Sequence, residues 1–269
     1  MNSPLGAHEA KKRFGQNFLH DGNVIDRIIR TINPQPGDAM VEIGPGQGAL
    51  TLPLLGKLDA LTAIELDRDV IPHLLQACGP NASKLKLIQA DALGVDYSAL
   101  APAGGQLRLV GNLPYNIATP LLFHLLEHAG SVRDMHFMLQ KEVVDRMCAE
   151  ADDDDYGRLT VTLAARAECF KLFKVGPGSF NPPPKVDSAI VRIVPRPAPF
   201  PLGSLAAYDR VVTAAFSMRR KTLSNALKKT LTADAIRAAG VDPQARAETL
   251  APEAFGRLAL QFLAASSSA

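Results

Sequence analysis

Residues 111–115, GNLPY, end a predicted strand with residue types that could hold a substrate. Simple turns favour Gly, Asp or Ser, so an amide, a proline and a tyrosine at this point indicate a binding role. The side-chain oxygen of Asn112 can accept one hydrogen of an amine, and the carbonyl of Pro114 can accept the second. Tyr115 can stack on a planar ring. The stretch therefore predicts a site for the exocyclic amine of a base.

The chemistry that suits such a site is alkylation of an adenine amine. This nitrogen is a poor nucleophile because its lone pair is delocalised into the ring. Holding both of its hydrogens favours a geometry in which the lone pair points at an electrophilic methyl group, so catalysis is mainly positioning and needs no obligatory general base. An adenine that reacts in this way has to be swung out of its own stack.

The ends of three earlier predicted strands carry groups suited to one adenosine-containing cofactor. Gly44 and Gly46 lie in VEIGPGQG, after the first strand, and let the backbone approach a ligand closely. The G-x-G-x-G spacing disfavours a dinucleotide and an NAD oxidoreductase. Glu65 can accept both hydroxyls of a ribose, and Asp91 can bind an adenine amino group. Either acid alone could be a solvated strand end, but together they fit S-adenosylmethionine.

Short apolar strands alternate with helical patterns between residues 38 and 140, which predicts an α/β fold with a mostly parallel, Rossmann-like sheet. Two later strands without an intervening helix, ECFKLFKV and SAIVRIV, predict an antiparallel strand at the sheet edge. The Pro-rich run PRPAPFPLG then indicates a linker. We therefore predict a catalytic domain over residues 1–198 and a small all-helical domain over residues 199–269.

The charge is small overall but unevenly distributed. The chain has 29 Lys and Arg against 27 Asp and Glu, yet residues 210–229 contain six basic residues and no acid. This patch could bind a polyanion or be a solvated helix face.

The three cysteines and six histidines show no disulfide or metal-ligand spacing, so no metal is expected. No long apolar run or secretory signal is found, and we expect a monomer in the cytoplasm, not associated with membranes.

Several segments of the chain match one known family. They include GQNFL at 15–19, EIGPGQGALT at 42–51, AIELDRD at 63–69, QADAL at 89–93, GNLPYNIATP at 111–120 and FNPPPKVDSAIVRI at 180–193. Together they resemble the ribosomal RNA adenine dimethyltransferases, a family of class I S-adenosylmethionine-dependent enzymes. The second-domain segment MRRKTLSNAL is similar to that of the bacterial small-subunit branch. This resemblance implies dimethylation of N6 of two adjacent adenosines in the loop of the 3′-terminal hairpin of 16S ribosomal RNA, within the 30S particle.

The resemblance also implies roles for individual residues. The cofactor would be lined by Asn17, Leu19, Gly44, Glu65, Asp91 and Asn112. The target amine would be held by Asn112, Leu113, Pro114 and Tyr115, with Phe180 stacking on the base from the other side. We further expect Arg219, Arg220 and Lys221 to contact RNA phosphates.

Alternatives remain open from the sequence. Phe180 could instead plug the sheet edge, and residues 11–19 could form a lid over the cofactor or a frayed terminus. A 23S ribosomal RNA methyltransferase would share the first domain, and a DNA adenine methyltransferase could share the Asn-Leu-Pro-Tyr chemistry. A non-catalytic ribosome-assembly or transcription factor on the same fold is a further alternative.

Overall fold

The structure is a computed structural model that describes residues 17–115, 117–218 and 221–267. Its strands are β1 (Phe18–Leu19), β2 (Ala39–Ile43), β3 (Leu61–Glu65), β4 (Leu85–Gln89), β5 (Leu107–Asn112), β6 (Val132–Gln140), β7 (Ala167–Val175), β8 (Phe180–Asn181) and β9 (Ser188–Pro195). Its helices are α1 (Gly22–Ile32), α2 (Thr51–Leu55), α3 (Ile71–Cys78), α4 (Ala118–Glu127), α5 (Lys141–Cys148), α6 (Arg158–Ala164), α7 (Leu205–Phe216), α8 (Leu223–Ala226), α9 (Ala233–Ala238) and α10 (Pro252–Ser267).

Seven strands form one sheet in the order β4-β3-β2-β5-β6-β9-β7. The pairs β3–β4, β2–β3, β2–β5 and β5–β6 are parallel, and β9 runs antiparallel to β6. This confirms the predicted Rossmann-like sheet with an antiparallel element near one edge. A second sheet, the antiparallel pair β1–β8, was not expected from the sequence.

The sheet brings the predicted site residues to one edge because parallel strands end on the same side. Strands β2, β3, β4 and β5 end at Ile43, Glu65, Gln89 and Asn112. The loops that follow these strands therefore converge on one cleft. The strands read as short apolar runs because both of their faces are covered, as is usual for parallel sheets.

Helix α1 shows how local sequence positions the segment that precedes the sheet. Asp21 caps its start by accepting hydrogen bonds from the backbone N–H groups of Asn23, at 3.0 Å, and Val24, at 3.3 Å. The helix ends at Asn33, a left-handed residue whose N–H donates to the carbonyl of Ile29. Its inner face, which includes Ile28, joins the hydrophobic core.

The contacts divide the chain into two compact units. One comprises the described residues up to Val144 together with Phe170–Pro195, and the other comprises Asp145–Cys169 together with the residues from Arg196 onwards. The second unit has its own core, centred on buried residues such as Tyr208 and Phe255. The sequence assigned residues 145–169 to the first domain, whereas the contacts group them with the C-terminal helices. The boundary at residue 198 stays a prediction about independently folding domains.

Neither a membrane span nor a metal cluster is found in the described parts of the chain. Among the described helices, none is both long and apolar enough to cross a bilayer. Within the same ranges, no group of three or more His, Cys, Asp or Glu residues is arranged to hold a metal ion.

Candidate active site

The glycine-rich loop after β2 forms one wall of the cleft. Gly44 and Gly46 both have positive φ angles, 67° and 54°, which favour glycine. Gly46 is also sterically restricted, since a Cβ at this position would lie 3.2 Å from a ring carbon of Phe18. Its N–H donates a 3.3 Å hydrogen bond to Oε2 of Glu65. The loop and the end of β3 are therefore tied together at the cleft.

Glu65 is held in one orientation by backbone donors. Besides the Gly46 contact, its Oε1 accepts a 2.8 Å hydrogen bond from the N–H of Asp67. The side chain is buried, and burial raises its pKa, against the effect of these hydrogen bonds. Each carboxylate oxygen has a second lone pair, so both can still accept a hydroxyl from a ligand.

Glu42 is a second carboxyl group in this cleft, and sequence reasoning gave it no role. Its Oε2 accepts a 2.7 Å hydrogen bond from Oγ1 of Thr51, and the residue is buried. Burial raises the pKa of Glu42 to about 7, and the charge of Glu65 contributes in the same direction. The cleft is therefore lined by a carboxyl group that titrates near neutral pH.

Asp91 shapes the cleft as well as lining it. Its Oδ1 accepts a 3.0 Å hydrogen bond from the N–H of Leu93, which starts a short turn over Ala92–Gly94. The buried Tyr97 donates from its hydroxyl to the Ala92 carbonyl at 3.1 Å. The turn that follows β4 is thus fixed from both sides.

Asn112 ends β5 with its amide in a defined orientation. Its Nδ2 donates a 3.0 Å hydrogen bond to the backbone carbonyl of Asn17. The amide nitrogen is therefore used within the protein, and Oδ1 is the acceptor that the side chain offers to a ligand. This is the orientation that an amine donor requires.

The rest of the Asn-Leu-Pro-Tyr stretch is held by contacts of different kinds. The N–H of Leu113 donates to the Met138 carbonyl at 3.2 Å, and the Pro114 carbonyl accepts from Ile117 at the same distance. The hydroxyl of Tyr115 lies 2.8 Å from Oγ of Ser188. Sequence reasoning missed Ser188.

The described part of the N-terminal segment lies along the cleft. Leu19 pairs with Phe180 in the β1–β8 sheet, and the N–H of His20 donates to the Ser179 carbonyl at 3.0 Å. Asn17 and Leu19 line the cleft. Residues 11–16 of the predicted lid lie outside the described residues.

Phe180 is buried in this structure. It is 3% exposed and belongs to the hydrophobic core, whereas the other described residues predicted for the catalytic and cofactor sites line the cleft. This position is compatible with the alternative interpretation, in which Phe180 fills space at the sheet edge. Stacking by Phe180 on a base stays a prediction, and it would require the ring to leave the core.

The predicted phosphate contacts are only partly described. Lys221 is exposed, and its N–H donates to the Met218 carbonyl at 2.9 Å. Arg219 and Arg220 lie outside the described residues. Their contact with RNA stays a prediction.

Comparison with known proteins identifies the family. The model of the family described as ribosomal RNA adenine dimethylase matches residues 7–263. The chain belongs to this family. It is an S-adenosylmethionine-dependent methyltransferase, as the resemblance implied.

Relatives within the family cover nearly the whole chain. Ribosomal RNA small subunit methyltransferase A of Pseudomonas fluorescens is 56% identical over 255 residues, which is 94% of each chain. The protein of the same name from Acinetobacter baylyi is 52% identical, over 98% of this chain and 96% of its own.

Two solved structures share the fold over most of their length. A dimethyladenosine transferase from Plasmodium falciparum has a TM-score of 0.78 at 27% identity, covering 92% of this chain and 98% of its own. The 23S rRNA methyltransferase ErmE has a TM-score of 0.71 at 28% identity, covering 91% and 99%.

The hydrogen-bonding groups of the cleft suit the cofactor of a ribosomal RNA adenine dimethylase. Glu65 presents two fixed carboxylate oxygens that would hold ribose hydroxyls, and Asp91 would lie beside an adenine. The loop through Gly44 and Gly46 would let the cofactor approach the backbone closely, because these two residues have no side chains. When bound, S-adenosylmethionine supplies a methyl group on a positively charged sulfur, and Asn112 lies in the same cleft.

Proposed function

We propose that this family member dimethylates N6 of two adjacent adenosines in the loop of the 3′-terminal hairpin of 16S ribosomal RNA. Its substrate is the 30S subunit or its precursor, and the reaction is a step of ribosome biogenesis in the cytoplasm. The enzyme acts as a monomer. The names of its relatives, which refer to the small ribosomal subunit, support this substrate.

The observation that carries the proposal is the orientation of Asn112. Because Nδ2 donates to the Asn17 carbonyl, Oδ1 is left to accept a hydrogen from the target amine. The Pro114 carbonyl accepts one hydrogen bond from Ile117 and has a second lone pair for the other amine hydrogen. Two acceptors next to each other select an amino group and disfavour a carbonyl-bearing base.

The 16S substrate is favoured over 23S ribosomal RNA by sequence identity. The small-subunit relatives are 52% and 56% identical, whereas the 23S enzyme with a solved structure is 28% identical. A non-catalytic assembly factor is disfavoured because Glu65, Asp91 and Asn112 are all present in one cleft.

The test is transfer of labelled methyl groups from S-adenosylmethionine to 30S subunits that lack the modification. Mature 30S subunits, 50S subunits and duplex DNA serve as parallel substrates, and the labelled base is mapped. We expect label only at N6 of the two adjacent adenosines of unmodified 30S subunits. Label on 50S subunits or DNA, or binding of cofactor without transfer to any substrate, would contradict the proposal.

A variant pair connects this activity to the site. We expect Asn112→Ala to lower the transfer rate about 100-fold, because the amine loses one of its two acceptors and its alignment. The matched control is Asn81→Ala, in an exposed turn, for which we expect an unchanged rate.

The proposed monomer is tested by light scattering of the wild-type protein, which should give the mass of one chain. A mass of two chains would contradict the proposal that the enzyme acts as a monomer.

A further inference from the structure

The hydrogen bond between Tyr115 and Ser188 connects the catalytic loop to a distant strand. The two hydroxyl oxygens are 2.8 Å apart, although 73 residues separate them in the sequence. Strand β6 lies between β5, which leads into the Tyr115 loop, and β9, which starts with Ser188. The hydrogen bond therefore reaches across the end of one strand.

Ser188 is a rigid partner for this hydrogen bond. It is 0% exposed, and its backbone pairs with Gln140 of β6. The carbonyl of the preceding residue, Asp187, accepts a 2.9 Å hydrogen bond from the N–H of Lys141. The backbone of Ser188 is thus fixed by the sheet, and its buried side chain places Oγ 2.8 Å from the Tyr115 hydroxyl. Tyr115, in contrast, lies in the short connection between β5 and α4, where side-chain rotation is less restricted.

We propose that Ser188 is a positioning residue that fixes the ring of Tyr115 as a stacking surface for the target adenine. This inference rests on the proposed function and specifies how the same site handles its substrate. With the hydroxyl held by Ser188, the ring presents its face to the base. Tyr115 then contributes through stacking, and proton transfer is not its role.

The burial of Tyr115 agrees with this assignment. Burial raises the pKa of its hydroxyl, against the effect of the hydrogen bond with Ser188. A phenol with a raised pKa is a weak acid near neutral pH, and its oxygen is already within a hydrogen bond. The group is therefore suited to orient the ring.

The fixed ring matters most for the second methyl group on each adenine. An unmodified amine has two hydrogens, which Asn112 and Pro114 can both hold, so the base is aligned by two hydrogen bonds and by stacking. A monomethylated amine keeps one hydrogen. Its alignment then depends more strongly on the stacking surface, and loss of the anchor should slow the second transfer more than the first.

The first test is the ratio of monomethylated to dimethylated adenosine after reaction with unmodified 30S subunits. We expect Ser188→Ala to raise this ratio several-fold and to lower kcat/KM roughly 10-fold, the effect of losing the one hydrogen bond that holds the stacking ring. The affinity for S-adenosylmethionine, measured by calorimetry, should stay within about twofold of the wild type. Ser188→Cys, which keeps a weak polar group, should restore part of the loss.

A double-mutant cycle separates this role from a general structural one. Tyr115→Phe removes only the hydroxyl and should reproduce the product ratio of Ser188→Ala. The double variant should be no worse than either single variant, because both remove the same hydrogen bond. Tyr115→Phe also provides the test if Ser188→Ala does not fold. The pH dependence of the rate should be the same in Tyr115→Phe and the wild type.

The matched control for lost stability is Tyr208→Phe, in the core of the second unit. Its hydroxyl donates a 2.9 Å hydrogen bond to the Val161 carbonyl. This variant should unfold at a lower temperature with an unchanged product ratio. The proposal is overturned if Ser188→Ala and Tyr115→Phe lower stability and leave the product ratio and kcat/KM unchanged. Failure of the proposed function itself would appear differently, as a wild type that does not methylate 30S subunits.

Discussion

At the scale of a single residue, Glu42 makes the stability of the fold depend on pH. Its carboxyl group is buried beside the Thr51 hydroxyl, and burial raises its pKa to about 7 from an ordinary value of 4.5. Between these two pH values the folded protein holds a proton that the unfolded chain releases. The stabilising effect of that proton is complete below pH 4.5 and is lost as the pH rises through about 7.

We therefore expect Glu42→Gln to reduce the loss of stability that accompanies a rise in pH from about 5 to about 8. One pKa unit corresponds to about 1.4 kcal/mol, so the wild type should lose up to about 3 kcal/mol more than the variant between about pH 5 and pH 8. The glutamine amide would keep an oxygen that accepts from Thr51. The measurement is urea unfolding at both pH values, with Glu150→Gln at an exposed position as the control. Equal pH dependence in wild type and Glu42→Gln would contradict the assignment.

At the scale of secondary-structure elements, Arg108 connects β5 to three other segments at the end of the sheet opposite the cleft. Its Nε lies 2.9 Å from Oδ1 of Asp134 on β6, and its Nη1 lies 2.7 Å from Oδ2 of Asp38, just before β2. Its Nη2 donates a 2.7 Å hydrogen bond to the carbonyl of Ile32 at the end of α1. All three ionic side chains are buried, so each depends on the others for its solvation.

Removing this guanidinium should destabilise the protein strongly. We expect Arg108→Met to lower the free energy of unfolding by about 3–5 kcal/mol, because two buried carboxylates lose their buried partner. Asp38 then keeps the exposed Arg133, at 3.3 Å. Asp134 keeps the exposed Arg192, at 3.8 Å.

The control is Arg237→Met, which breaks the exposed ion pair with Asp234 and should cost at most about 1 kcal/mol. Denaturant unfolding measures both. Similar losses of unfolding free energy in the two variants would contradict the expectation that the buried ion pairs stabilise the protein more than the exposed one.

The same scale explains which parts of the site could be predicted from the sequence. Glu65 and Asn112 end parallel strands, and a regular alternation of strands and helices implies that such ends meet at one edge. The partners of these residues depend on contacts that no local pattern encodes. Asn17 is 95 residues from Asn112, and the strands of the β1–β8 sheet have two residues each, too few for a periodicity.

The burial of individual side chains could not be predicted from local sequence patterns either. Phe180 starts a Pro-rich sequence segment, in which an aromatic residue is as compatible with a substrate surface as with the core. Only the packing distinguishes the two. Residues 145–169 precede the Pro-rich linker. Their grouping with the C-terminal helices arises from tertiary packing, which the position of the linker did not indicate.

At the scale of the whole molecule, RNA binding depends on local charge. The formal net charge is only +2, so the overall field is weak. Binding to RNA phosphates then requires cations concentrated on one part of the chain, and residues 219–221 provide three in succession. Each cation that pairs with a phosphate releases counterions from the RNA, so the salt dependence of binding reports how many phosphates are neutralised.

We expect the triple variant Arg219→Gln, Arg220→Gln and Lys221→Gln to flatten the salt dependence of binding to 30S subunits. The slope of log affinity against log salt should fall by roughly 0.7–0.9 for each phosphate that is no longer neutralised, with unchanged affinity for S-adenosylmethionine. The control is Lys57→Gln with Lys86→Gln, two exposed cations of the other unit. A long-range effect of net charge would change the slope equally per charge in both variants, whereas direct pairing with phosphates changes it only in the first.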